Sequence, residues 1–279
     1  MGHRWQSGRH AALPDAGRRG ARAGPALRQH QSRHDGAPAR GVRAQRRGSG
    51  QRRFSAVKLA PFDGMDRLRI HEREQRQRVQ HGLDCVAAVR EAVGSHVDVL
   101  VDCHEHFDLP TAVAVGKALY ALGITWFEES LPVGDVESLA RLRSSLPELQ
   151  MIGGERLYDI AGFWPYLAAG VWDVVMPDVK HCGGIHTLAG IAQAAGARGV
   201  STAPHNPSGP VAMAASAHVA ATLPQLHSLE YAWGEVPWRK DLISPAESIV
   251  NGEMELPPGP GLGIILDERT LAAQQRLSP

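Results

Sequence analysis

Short apolar runs along the chain end abruptly in single polar groups. Val99, Leu100 and Val101 break into Asp102, Cys103 and His104. Ile124 to Phe127 lead to Glu128, Met151 to Gly154 lead to Glu155, and Val174 to Pro177 lead to Asp178. Two more runs end alike, Val200 to Pro204 in His205 and Leu226 to Leu229 in Glu230. A short β-branched or apolar run of this kind reads as a buried parallel strand. Successive polar ends lie 23 to 27 residues apart, about one strand, one loop and one helix of a β/α unit. On an extended chain Asp102 and His104, two positions apart, leave on the same face.

Helix-period stripes fill the gaps between these strands. They predict helices over 83–93, 109–122, 136–146, 160–169, 185–197 and 211–223, with strands over 172–177, 200–203 and 226–229. The run from Phe54 to Asp63 reads as a strand ending near Lys58. The charged stretch Asp66 to His81 has little period and reads as an exposed loop leading into a helix. Counted from Val57, seven strands result, one short of a full barrel; were there an eighth, it would lie before Phe54. The fold class is α/β, a modified TIM (β/α) barrel that places its chemistry at the carboxyl ends of the strands.

Residues 1–53 break this pattern. Thirteen of the 30 Lys and Arg residues fall there against two acids, Asp15 and Asp35, and the segment holds no Ile, Phe, Tyr, Lys, Glu or Cys. Such a composition buries too little to offset its ordering entropy. It reads as a disordered tail or as an out-of-frame reading of a GC-rich coding region. A basic arm for nucleic acid is disfavoured, because stacking aromatics and a folded platform are missing; deleting the segment is expected to leave metal binding unchanged. The division is then 1–53, a barrel over 54–250, and a turn-rich C-terminal segment over 251–279. The three cysteines form no disulfide framework, and no stretch of 18 or more apolar residues occurs, which points to a cytoplasmic protein outside the membrane.

Asp102, Glu128 and Glu155 on consecutive strand ends are hard oxygen ligands converging on one point, the donor set of Mg²⁺. A metal held there stabilises the charge formed when a proton α to a carboxylate leaves. His205 lies two strand ends beyond, with Asp178 on the strand between, and an acid on one ring nitrogen orients the other as a general base. His104 is the second imidazole at the mouth, suited to act as an acid toward a leaving hydroxyl. Together these groups describe a β-elimination of water.

The residues V-D-C-H at Asp102, F-E-E-S at Glu128, G-G-E-R at Glu155, M-P-D-V-K-H-C-G-G at Asp178, A-P-H-N-P-S-G-P at His205 and S-L-E at Glu230 resemble the mandelate racemase subgroup of the enolase superfamily. Within it they are most similar to acid-sugar dehydratases of the galactonate dehydratase kind. The resemblance covers Phe54 to the C-terminus. It implies that Asp102, Glu128 and Glu155 bind Mg²⁺, that the His205–Asp178 dyad takes the α-proton, that His104 protonates the departing hydroxyl, and that Glu230 hydrogen-bonds the substrate carboxylate or enediolate. The substrate it implies is a sugar acid, the product a 2-keto-3-deoxy acid, and self-assembly into a homo-oligomer is common in the family.

Relatives carry K-x-K at the strand of Lys58; here Ala60 stands in the second place, and Ser130 stands where proline is usual. Lys58 is read either as electrostatic support for the site or as a solvated lysine at a strand end. The expected departures are larger at the ends. Nothing in residues 1–53 resembles the family's α+β capping domain, the first barrel strand is missing, and Ile264 to Leu266, which in relatives pack on the cap, are left without a partner. Two other readings stand beside the dehydratase: a racemase or epimerase, which needs a second base opposite His205, and a truncated, catalytically silent barrel.

Overall fold

Alternation along each strand divides the molecule into an inner and an outer core. The computed structural model describes residues 29–31 and 54–275. Eight strands form one parallel sheet: β1 (Gln29–Gln31), β2 (Ala56–Leu59), β3 (Asp98–Asp102), β4 (Trp126–Glu128), β5 (Gln150–Gly153), β6 (Val174–Val175), β7 (Ser201–Thr202) and β8 (Leu229–Tyr231). Their spatial order is β7-β6-β5-β4-β3-β2-β1-β8. Thr202 N donates to Gln225 O at 3.1 Å and His227 N to Thr202 O at 2.8 Å, which joins β7 to the segment entering β8 and closes the ring.

Ala56, Leu100, Trp126, Ile152, Val174, Met176 and Ala203 fill the inside of the barrel. Val99, Val101, Phe127, Met151 and Val175 point the other way and pack in the layer beneath the helices. The period of two then decides where the polar ends go. Lys58 follows Ala56, Asp102 follows Leu100 and Glu128 follows Trp126 on the inward face, one layer nearer the mouth.

Six helices alternate with the strands: α1 (Arg73–Val93), α2 (Leu109–Ala121), α3 (Val136–Ser145), α4 (Asp159–Ala169), α5 (Ile185–Gly196) and α6 (Pro210–Ala220). Two of the starts follow side-chain capping chemistry. Asp108 accepts from Thr111 N at the head of α2, and Asp135 accepts from Ser138 N at the head of α3. The five helices from α2 to α6 lie where their apolar stripes place them. α1 begins ten residues earlier than the stripe over 83–93 indicates. Its first half carries Arg, Gln and Glu, straight-chain residues that favour helix without an apolar face, and Glu74 and Arg78 pair at i, i+4.

Two expectations about the ends of the barrel are corrected. The first strand is present: Gln29–Gln31 occupies the gap ahead of Phe54, pairing His30 with Ala56 on one side and with Glu230 on the other. Three residues of mostly polar character carry no apolar run, so no strand signal was readable there. The reading of the remainder of residues 1–53 as disordered or out of frame lies outside the described residues. At the other end, β12 (Ile265–Leu266) does have a partner: it pairs antiparallel with β9 (Ile243–Ser244), while Ile265 stays 75% exposed. A second small hairpin, β10 (Ile249–Val250) with β11 (Glu253–Met254), precedes it, and α7 (Glu268–Gln275) follows.

Candidate active site

Asp102, Glu128 and Glu155 meet at the carboxyl end of the sheet. All three are buried, and one oxygen from each lies within 4.8 Å of the others. Asp102 and Glu128 arrive by strand alternation and are direct partners in register. Glu155 stands beyond the end of β5, and a change of direction at Gly154, φ +107°, brings it in. A Cβ at Gly154 would lie 2.5 Å from Phe163 Cε1, so glycine is required there by both conformation and space.

Lys58 is buried in the same cluster, not solvated. Its Nζ lies 2.7 Å from Glu128 Oε1, 2.8 Å from Glu230 Oε1 and 3.8 Å from Asp102 Oδ2. Burial works against the ammonium, but Glu128, Glu230 and Asp102 outweigh it and hold Lys58 well above the ordinary lysine range. Trp126 Nε1 donates to the other oxygen of Glu128 at 2.7 Å. Even so, burial and repulsion from Asp102 push Glu128 well above the usual carboxylate range. Burial also favours the neutral form of Glu230 and of Asp102. Lys58 and His205 hold Glu230 far below its usual value regardless, and His104 and Lys58 keep Asp102 below its own. Three buried carboxylates converging on one point are suited to a hard divalent cation. These residues fit Mg²⁺.

Two imidazoles flank the cluster. His205 Nδ1 meets Asp178 Oδ2 at 2.9 Å, and its Nε2 faces Glu155 Oε2 at 3.0 Å. Burial lowers the His205 pKa, whereas Glu230, the Asp178 hydrogen bond and Glu155 raise it, and the net displacement is upward. Asp178 is displaced downward despite its burial, chiefly by that same bond. At the other end His104 Nε2 lies 3.0 Å from Asp102 Oδ2 and its Nδ1 2.5 Å from Asp63 Oδ1. Desolvation opposes the charge, but the two carboxylates raise His104 to about 11, so it stays protonated at neutral pH. Asp102 and His104 meet as expected but by a different route: His104 and Glu105 adopt φ of 43° and 61°, and this left-handed turn, not strand alternation, folds the ring back.

The barrel thus gathers every residue singled out from the sequence: Asp102, Glu128, Glu155, Asp178, His205, His104, Lys58 and Glu230. The family model described as "Enolase C-terminal domain-like" matches residues 39–270. The chain belongs to the enolase superfamily. Among curated proteins, this superfamily member is 34% identical to a D-gluconate dehydratase of Thermoproteus tenax over 221 residues, 79% of this chain and 43% of that protein. It is 33% identical to a D-xylonate dehydratase of Haloferax volcanii over 218 residues, 77% of this chain and 52% of that one. Among solved structures, a mandelate racemase/muconate lactonizing enzyme-like protein from Rubrobacter xylanophilus superposes with a TM-score of 0.72 at 33% identity, over 80% of this chain and 57% of that chain. The chain spans about half the length of the curated relatives it matches. No helix among its described residues is long and apolar enough to cross a membrane.

Three site residues escaped the sequence reading. Glu129 is buried behind Glu155 and accepts from Gly154 N at 2.6 Å; burial and the neighbouring Glu155 push it up to about 8. Asp63 holds His104, and Trp126 holds Glu128. The doubled glutamate of F-E-E-S was the available signal for Glu129; nothing local marks Asp63 as a partner of a residue 41 positions away.

Proposed function

We propose that the chain is the catalytic barrel of a Mg²⁺-dependent sugar-acid dehydratase, removing the proton α to the carboxylate and eliminating the β-hydroxyl to give a 2-keto-3-deoxy acid. The observation that carries this reading is the pair of carboxylate-oriented imidazoles at the two ends of one buried three-carboxylate cluster. When bound by Asp102, Glu128 and Glu155, Mg²⁺ supplies positive charge against the negative charge that develops on the substrate carboxylate.

The chain's own groups do the rest. Asp178 fixes the ring of His205 and leaves Nε2 turned into the site, where the neutral form takes the α-proton. His104, kept protonated by Asp63 and Asp102, gives its proton to the departing hydroxyl, which leaves as water. Glu230 is held ionised with one oxygen on Lys58 and the other accepting from Asn206 N, so it has no proton to donate. It holds the buried Lys58 ammonium against Glu128, and that positive charge supports the site electrostatically. A protonated His104 is unsuited to be the second base that an epimerase needs. The free cysteines Cys85, Cys103 and Cys182 accord with a cytoplasmic setting.

The test is formation of 2-keto acid from a panel of aldonic acids, with Mg²⁺, in ²H₂O. His205→Asn is expected to lose both α-proton exchange and elimination by about 10²–10⁴-fold. His104→Asn should lose elimination to a similar degree and keep exchange. Glu155→Gln should lose both. Epimerised substrate without keto acid would replace the dehydratase by an epimerase. A soluble chain that binds Mg²⁺ and neither exchanges nor eliminates would make this barrel catalytically silent by itself.

A further inference from the structure

Outside the three-carboxylate cluster, the described residues hold one further group of metal-type donors. Asp63, from the loop after β2, and His104 and His106, from the loop after β3, each offer a ligand atom, all within 4.8 Å of one another. Their apolar neighbours hold them there. Phe62 and Phe107 are buried and meet edge to face with ring centroids 4.8 Å apart, which pins the Asp63 loop against the His106 loop. Asp63 Oδ1 is the shared point, 2.5 Å from His104 Nδ1 and 3.8 Å from His106 Nε2.

The second nitrogen of His104 adds an independent indication. Its Nε2 lies 3.0 Å from the buried Asp102 Oδ2. A histidine that ligates a metal through one ring nitrogen characteristically donates the other to a carboxylate, which fixes its orientation and raises its basicity. His104 already has that outer partner. Two imidazole nitrogens with one carboxylate also differ in kind from the all-oxygen cluster: they favour zinc and its d-block neighbours over Mg²⁺.

We propose that Asp63, His104 and His106 form a second metal site, selective for Zn²⁺-type ions and separate from the three-carboxylate cluster. The ion replaces the proton shared by His104 and Asp63, and that proton leaves to solvent. The pair opens from 2.5 Å to roughly the 3.3 Å spacing of two ligands on a tetrahedral ion, each about 2.0 Å from it. The side chains of Asp63 and His106 are 32% and 24% exposed, which gives the ion an entry path and leaves its fourth position to water. An occupied site takes His104 away from the leaving hydroxyl, so Zn²⁺ inhibits. That consequence rests on the dehydratase reading, whereas binding does not.

The experiment is calorimetric titration of Zn²⁺ into the full chain saturated with Mg²⁺, alongside His106→Gln, Asp63→Asn and Glu155→Gln. One Zn²⁺ site is expected in the unaltered chain and in Glu155→Gln, weakened at least about tenfold in His106→Gln and in Asp63→Asn. No Zn²⁺ binding, binding unchanged by His106→Gln and Asp63→Asn, or binding removed by Glu155→Gln would overturn the proposal. In the keto-acid assay, Zn²⁺ should inhibit the unaltered chain, and His106→Gln should keep the zinc-free rate and escape inhibition. Zn²⁺ bound in the expected pattern by a chain without turnover would sink the dehydratase reading and leave the site standing.

Discussion

At the scale of single residues, the site is a set of buried charges that answer one another. Trp126 shows what such an answer contributes: its indole N–H is the donor to Glu128 Oε2, deep in the barrel. Trp126→Phe leaves that oxygen buried without its donor and should cost at least about 2 kcal/mol, read by urea denaturation. Which residues were legible follows from the same geometry. Asp102 and Glu128 lie on strands, where a period of two fixes the face, so apolar runs announced them. Lys58 had the same cue, yet its burial depends on carboxylates contributed by three other strands, which no local pattern contains. Asp63 and Glu129 were missed because they act from turns. Glu129 sits at φ 41°, and in such conformations sequence spacing no longer states direction.

At the scale of elements, α2 illustrates both what sets a helix and what limits it. Asp108 caps it by accepting from Thr111 N at 3.0 Å, and Asp108→Ala should cost about 1 kcal/mol in denaturation at neutral pH. Burial raises the Asp108 pKa, but the bonds to Thr111 and His71 together outweigh it and bring the value below the usual 3.8. A folded value lower than the unfolded one means the charged cap stabilises above about pH 4, and that stability is lost as pH falls through the folded value. The difference between Asp108→Ala and the unaltered chain should therefore shrink in acid. Gly116, in the middle of α2, looks like a helix weakness that alanine would repair by about 1 kcal/mol. A Cβ there would lie 2.4 Å from Leu146 Cδ1, so Gly116→Ala should instead destabilise, by about 1–3 kcal/mol, lowering the melting temperature. The five helices from α2 to α6 were legible from their apolar stripes. The first half of α1 was not, because its helix rests on propensity and charge pairing.

At the scale of the whole molecule, closure of the ring depends on three residues that the sequence did not announce. Removing residues 1–53 takes β1 from between β2 and β8 and exposes the backbone edges of both. An open parallel sheet invites pairing between chains. The shortened chain should melt at lower temperature and scatter light in a concentration-dependent way, and Mg²⁺ affinity should fall with it, because Glu230 sits on one freed edge and Lys58 on the other. This revises the expectation that the segment is dispensable for metal binding.

The pairing of β1 also sets an order of events on the ribosome. Seven of the eight barrel strands follow β1 off the ribosome; β2 to β7 each dock beside the strand just made, and β8 closes the ring between β7 and β1. The second partner of β1 is Leu229–Tyr231, about 200 residues later. The first strand to emerge is thus the last to be satisfied on both sides, and during synthesis one of its edges stays open until nearly the entire barrel has been translated.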